Sequence, residues 1–182
     1  MAETTQFWID RTMTPIGELI LIVDHAGALR VVDWTEHEAR MQRLLRLHYG
    51  SSVKLETKRD PHGLTTALRS YFTGELAAIE SLPVATSGTT FQQSVWAALR
   101  EIPCGTTVSY GELAVRLGNP AAVRAVGLAN GANPVGIVVP CHRVIGANGS
   151  LTGYGGGLER KQWLLQHEGA LGGLFKKELL SR

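Results

Sequence analysis

Val108-Ser109-Tyr110-Gly111-Glu112-Leu113-Ala114-Val115-Arg116-Leu117-Gly118-Asn119-Pro120-Ala121-Ala122-Val123-Arg124-Ala125-Val126-Gly127-Leu128-Ala129-Asn130-Gly131 reads as two helices joined by a tight turn. Ser109 and Glu112 stand at the spacing of a capping box, in which each side chain satisfies a backbone N–H that the first turn leaves free. Gly118 stops that helix. Asn119 is then expected to cap a second one, with Pro120 at its first position, where a missing N–H costs nothing. The second helix, Ala121–Gly131, follows a connection short enough for a helix-turn-helix.

Outward from this pair, the C-terminal half reads as mainly helical. Thr90-Phe91-Gln92-Gln93 offers another capping box, and Phe91, Val95, Trp96 and Leu99 supply an apolar helix face behind it. Ala147-Asn148-Gly149 is a hairpin-type turn, and Lys161–His167 forms a last amphipathic helix. The N-terminal half differs. Gln6–Met13, Gly17–Asp24 and Ala28–Trp34 are strand-like and separated by turn residues, which predicts a meander. Helices follow at Glu36–Tyr49 and Gly63–Phe72, with the polar stretch Gly50–Pro61 between them expected as a loop. Ser81–Gly88 is rich in turn residues. The expected fold is therefore α/β in composition. A small N-terminal α+β domain with an antiparallel sheet spans 1–84 and a linker spans 85–90. A mainly helical, winged-helix-like C-terminal domain spans 91–182.

The 182 residues carry a net charge of +2, unevenly spread. Residues 1–88 hold 9 basic against 11 acidic side chains, and residues 89–182 hold 9 against 5. The second half thus suits an anionic partner, although a solvated basic face explains the excess nearly as well. No apolar run approaches the ~18 residues of a membrane span, and the N-terminus lacks the pattern of a secretory signal. Two cysteines, Cys104 and Cys141, make neither a disulfide framework nor a zinc-binding spacing. No metal, no cofactor and no membrane are expected, and a reducing cytoplasm is the natural compartment.

Pro140-Cys141-His142-Arg143-Val144 is the stretch that carries chemistry. A thiol is a useful nucleophile only as thiolate, and an adjacent base or cation is the usual way to obtain one. The apolar run Val135–Val139 before it reads as a strand delivering the thiol to a surface. A buried structural cysteine beside an incidental histidine is the plainer alternative. The second helix of the pair is almost bare: Ala121, Ala122, Ala125, Gly127, Ala129 and Gly131 leave Arg124 and Asn130 as its only long polar side chains. A helix that reads bases in the major groove carries several such residues. Small residues suit close approach to a minor groove, and they equally suit a helix packed through its alanines.

Taken together, the second half resembles the O6-alkylguanine-DNA alkyltransferases of the bacterial Ogt type, which are single-use repair proteins. The matching strings are Val108-Ser109-Tyr110-Gly111, Arg124-Ala125-Val126-Gly127, Asn133-Pro134, Pro140-Cys141-His142-Arg143-Val144, Gly153-Tyr154-Gly155-Gly156-Gly157-Leu158 and Trp163-Leu164-Leu165-Gln166-His167-Glu168-Gly169. They run in family order. The N-terminal half fits more loosely, through Thr14-Pro15-Ile16-Gly17 and the Leu68-Tyr71-Phe72 helix. The resemblance implies that Cys141 accepts the alkyl group, with His142 as its partner and Glu168 orienting the histidine. It places Asn133 in the turn before the cysteine, and Tyr154 in the pocket loop against the guanine O6. Tyr110 would rotate the 3′ phosphate, and Arg124 would fill the vacated stack. Ala125, Asn130 and Gly131 complete the expected DNA-facing set. Gly155 stands where some members have serine. The implied partner is double-stranded DNA, approached through the minor groove by a monomer, with O6-alkylguanine and also O4-alkylthymine as substrates.

The residues support that chemistry independently. Neighbours on a strand face opposite sides, so a water bridging His142 and Cys141 is expected rather than direct contact. Displacement at an sp3 carbon leaves a thioether, which has no activated carbonyl for water to attack, so one turnover per molecule follows. A base inside a duplex must be flipped to reach a thiol. Gly153–Gly157 lacks the spacing of a phosphate cradle and reads as a flexible pocket wall. His167 is expected to pack and Cys104 to be structural. Two other classes share some of these features: a DNA-binding module with an inert cysteine, and a cysteine hydrolase acting on acyl groups.

Overall fold

A computed structural model describes residues 4–171. Ten residues, Thr5–Thr14 (β1), run antiparallel to Gly17–Val23 (β2), which pairs antiparallel with Leu29–Trp34 (β3). The meander expected from the turn residues is present. Its hydrophobic pattern explains its place, because β2 is buried on both faces. Leu19, Leu21 and Val23 point into the main core, and Ile20 and Ile22 join Phe7 and Val31 against Met41 and Leu45. Those two come from Glu38–Tyr49 (α1), which therefore covers one side of the sheet.

The stretch 50–61 is not all loop. Val53–Thr57 (β4) pairs parallel with β1, making a mixed sheet of order β3-β2-β1-β4. Val53 and Leu55 pack on the α1 side while Lys54, Glu56 and Thr57 stay exposed. With only two apolar residues, this edge strand carries little hydrophobic signal of its own. Leu64–Phe72 (α2) lies on the opposite face and buries Leu64, Leu68, Tyr71 and Phe72.

Thr90–Arg100 (α3) is capped by Thr89, one residue earlier than its sequence pattern suggests, with Gln92 reciprocating. Val108–Ser109 (β5) leads into Tyr110–Arg116 (α4), whose Ser109–Glu112 capping box forms as expected. The next helix begins later than Ala121. Pro120–Ala122 is a 3-10 turn, Asn119 makes no side-chain cap, and Val123–Gly131 (α5) is the α-helix proper. Trp96 on α3 donates its indole N–H to the Ala129 carbonyl at 2.8 Å and fixes α5 from behind.

The run Val135–Val139 is not a strand. Val135 makes a single bridge to Val32, and turns follow up to a 3-10 turn at Cys141–Arg143. Burial on all sides gave the run its apolar composition, which mimics a strand. Val144–Ile145 (β6) then pairs parallel with β5, and Leu158–His167 (α6) closes the described chain. The main core is continuous across both halves: Leu19, Leu29, Leu68 and Tyr71 pack in one cluster with Val95, Trp96, Val126, Val139 and Leu164.

Candidate active site

The β5–β6 pairing sets the geometry of the site. Val108 lies opposite Val144 and Ser109 opposite Ile145. The capped start of α4 is therefore held beside the turn that carries Cys141 and His142. That turn is anchored from below by Asn133, whose amide donates to the Val139 carbonyl at 2.8 Å and accepts from the Val135 N–H at 3.0 Å. Between them Ile137 has φ +70°. A β-branched residue in the left-handed region costs on the order of 1–3 kcal/mol, and such strain persists only where surroundings enforce it. Asn133 and the buried apolar neighbours are that enforcement.

His142 is fully buried, and its Nε2 meets Glu168 Oε1 at 2.9 Å. Glu168 sits at the C-terminal cap of α6, one residue beyond His167. Its Oε1 also accepts from Tyr71 Oη at 2.8 Å and from Arg143 Nη2 at 2.9 Å, while Oε2 accepts from Arg143 Nε at 2.9 Å. Burial works to raise the Glu168 pKa, but the hydrogen bonds and charges of His142 and Arg143 outweigh it and hold the carboxyl far below its usual range. Glu168 is thus a fixed carboxylate. It orders the imidazole with Nε2 protonated, leaving Nδ1 as the bare lone pair. Nδ1 is buried and has no hydrogen-bond partner among the described residues. Burial depresses the His142 pKa despite the pull of Glu168, so the ring is a neutral base near pH 7.

Cys141 is buried, and burial pushes its thiol pKa up, against the opposing hydrogen bond from Asn133 and the charge of Lys161. A narrow cleft reaches it, lined by Asn130, Asn133, Gly136, Tyr154, Gly155 and Gly156 together with Val32, Trp34 and Arg40. The cleft holds about 30 Å3, room for a water or two and far short of a purine. Tyr154 is partly buried against the core, and burial raises its phenol pKa well above the ordinary value, so it remains a donor.

The pocket loop is braced rather than free. Arg40 on α1 donates to the Gly155 carbonyl at 2.9 Å while gripping Asp33 through Nε and Nη2 at 3.0 and 2.6 Å. Arg160 holds the Gly156 carbonyl at 3.1 Å. A Cβ on Gly156 would lie 2.5 Å from Trp34 Nε1, so only glycine fits there. A Cβ on Gly155 would meet Arg40 at 2.6 Å, so the guanidinium occupies the space that a larger residue would need.

The structure brings Cys141, His142, Glu168, Asn133 and Tyr154 to one place. Tyr110 is next to it, with its hydroxyl on the Thr152 carbonyl at 3.1 Å. On α5, Arg124, Ala125 and Gly131 are exposed, together with Val123 and Leu128. Asn130 faces the cysteine instead: it is buried, lines the same cleft, and its amide donates to the Cys141 carbonyl at 3.4 Å. The helix turns it inward beside Val126 and Ala129, which removes it from the outward-facing set. His167 packs as expected, stacked on Trp163 and bonded to the Tyr71 carbonyl. Cys104 is partly buried, and its thiol pKa is raised by burial first and then by the charge of Glu168.

Residues 90–170 match the family model described as 6-O-methylguanine DNA methyltransferase, DNA binding domain. A curated methylated-DNA–protein-cysteine methyltransferase of Salmonella typhimurium is 52% identical over 163 residues, covering 89% of this chain and 95% of the relative. The chain belongs to this methyltransferase family. A Methanosarcina acetivorans member is 45% identical over 86% of this chain and 95% of its own length. Among solved structures, Mycobacterium tuberculosis OGT in complex with DNA superposes with a TM-score of 0.75 at 42% identity, covering 91% of this chain and 94% of the other. The O6-methylguanine-DNA methyltransferase of Pyrococcus kodakaraensis gives 0.66 at 25% identity, covering 90% and 99%.

Proposed function

We propose that this methyltransferase removes alkyl groups from O6 of guanine, and from O4 of thymine, in duplex DNA by transferring them irreversibly to Cys141. The observation that carries the reading is the His142 imidazole held by Glu168 with a buried Nδ1 that has no partner among the described residues. Such an atom is a base waiting for a proton. Through a bridging water, Nδ1 takes the proton of the Cys141 thiol. The thiolate attacks the sp3 carbon, an S–C bond forms, and the C–O electron pair leaves with the base oxygen. The Tyr154 hydroxyl, kept protonated by its burial, donates to that oxygen as charge develops. The thioether cannot be hydrolysed, so each molecule acts once.

Access to a thiol at the bottom of a narrow cleft requires a flipped nucleotide and a shift of the Gly155–Gly157 loop against its Arg40 and Arg160 braces. The α4–α5 pair acts as a helix-turn-helix. Its exposed small residues at Ala125 and Gly131 allow close approach to the minor groove, with Arg124 entering the stack and Tyr110 turning the 3′ phosphate. Residues 1–84 form the supporting domain and 91–182 the DNA-binding and acceptor domain. The protein works as a cytoplasmic monomer; no helix among the described residues is long and apolar enough to cross a membrane.

Titrating an O6-methylguanine duplex with the protein tests this. Methyl groups removed should saturate at one per protein molecule, and removal of several per molecule would contradict the proposal.

A further inference from the structure

Two buried side-chain atoms among the described residues have no hydrogen-bond partner, His142 Nδ1 and Asn130 Oδ1. The transfer chemistry uses the first and leaves the second without a role. Asn130 is 3% exposed and lines the cleft to Cys141. Its amide nitrogen donates to the Cys141 carbonyl at 3.4 Å, a long bond that anchors the amide on that side only. The other polar side chains of the cleft are committed. Asn133 uses its nitrogen on the Val139 carbonyl and its oxygen on the Val135 N–H. Asp33 accepts from Arg40 and from the Trp34 N–H. Tyr154 is kept as a donor by its burial. Asn130 also stands on a wall that stays in place: the Trp96 bond to the Ala129 carbonyl at 2.8 Å fixes α5, whereas the Gly155–Gly157 loop is the part that shifts. A buried acceptor is costly to leave unpaired, and water in the cleft can serve it only until a base expels that water.

We propose that Asn130 Oδ1 accepts a hydrogen bond from the 2-amino group of the flipped guanine, which makes Asn130 a base-specificity residue. The assignment follows from the N–H groups that the substrate has left. An alkyl group on O6 locks the guanine ring in the form whose N1 carries no hydrogen, and N3 and N7 are acceptors as well. The 2-amino group is therefore the only N–H donor on that base. O6 and the amine flank N1 on one edge of the ring, so the edge that meets Cys141 also brings the amine to the cysteine's neighbours. An alkyl group on O4 of thymine removes the N3 hydrogen in the same way and leaves no N–H donor at all. Thymine presents an acceptor oxygen at C2 where guanine presents its amine. An acceptor inside the cleft thus favours guanine and is left unpaired by thymine. The same amide touches the cysteine through its carbonyl, so one side chain of α5 links base selection to the residue that receives the alkyl group.

This inference rests on the alkyl-transfer reading and is tested by a cycle of two proteins and two substrates. Single-turnover rates are measured for the unsubstituted protein and for Asn130→Leu. The duplexes carry O6-methylguanine or O6-methylhypoxanthine, which differ only in the 2-amino group. The unsubstituted protein should react about tenfold or more faster with O6-methylguanine, and Asn130→Leu should abolish that preference. Loss of the bond to the Cys141 carbonyl slows both substrates alike, so the ratio of the two rates reports Oδ1. A ratio unchanged by the substitution overturns the proposal. On a duplex carrying O4-methylthymine, the variant should narrow the preference for guanine over thymine by the same factor. Should the leucine variant not fold, the unsubstituted protein decides: a difference of about tenfold between the two purines upholds the proposal, and equal rates overturn it. Absence of transfer from every substrate would overturn the alkyl-transfer reading and this inference with it. Transfer with an unchanged ratio overturns this inference alone.

Discussion

At the scale of single residues, the site rests on one carboxylate that accepts four hydrogen bonds. Glu168 receives His142, Tyr71 and two nitrogens of Arg143. Glu168→Gln would leave the buried Arg143 cation unpaired, so a loss of about 3–5 kcal/mol in denaturant-measured stability is expected, together with most of the transfer rate. The pH dependence follows by sign. The Glu168 pKa is lowered on folding, so its contribution is complete above the ordinary value of 4.5 and is lost as pH falls below it. The His142 pKa is also lowered, and here the neutral form is favoured by folding. Stability should decline as pH falls below 6.5, levelling once the folded-state ring is protonated, and transfer should decline only as pH falls through that lower folded-state midpoint. A transfer rate that rose on acidification through that range would contradict a neutral histidine base. Cys141, His142 and Glu168 were legible in the sequence because their strings are distinctive. Arg143 and Lys161 are not legible as buried charges, because a basic residue inside Cys-His-Arg-Val and another at the start of the last helix carry no sign of burial. What the sequence concealed was their burial, which turns surface-type side chains into fixed charges.

At the scale of elements, the helix pair is legible in outline and differs from expectation in detail. Ser109 caps α4 because its side chain and Glu112 answer each other locally, and local rules of this kind survive in the fold. The start of α5 was misjudged because Pro120 opens a 3-10 turn before the helix settles. Asn130 was misassigned because facing depends on what packs beneath, and Trp96 fixes α5 so that Asn130 looks inward. The Val135–Val139 run was misread as a strand, since burial on all sides erases the periodicity that separates strand from turn. Two predictions belong here. Arg124→Ala should reduce repair of O6-methylguanine in duplex DNA by tenfold or more while leaving reaction with free O6-benzylguanine nearly unchanged. Equal losses in the two assays would remove Arg124 from a role in opening the duplex. Gly156→Ala forces a methyl group against Trp34 and Tyr154. It should cost about 1–3 kcal/mol in thermal or denaturant stability, and an unchanged stability would show that the loop is not held as described.

At the scale of the whole molecule, the N-terminal half supports the site through direct contacts. Tyr71 on α2 bonds Glu168, Arg40 on α1 braces the pocket loop, and Trp34 on β3 lines the cleft. None of these was legible as functional, because each acts through a contact with a residue far away in sequence, as with Tyr71 and Glu168, 97 positions apart. Tyr71→Phe removes one donor to a buried carboxylate and should lower stability by about 1.5–3 kcal/mol, with a slower transfer rate. No change in either would show that the two halves do not cooperate in the site. The strongest test of the central claim is to incubate the protein with a duplex containing O6-methylguanine, then to measure its intact mass and map the modified peptide. One added methyl group on Cys141 is predicted, never more than one per molecule, and none in Cys141→Ala. Modification confined to Cys104, or methyl release with the protein mass unchanged, would contradict the account.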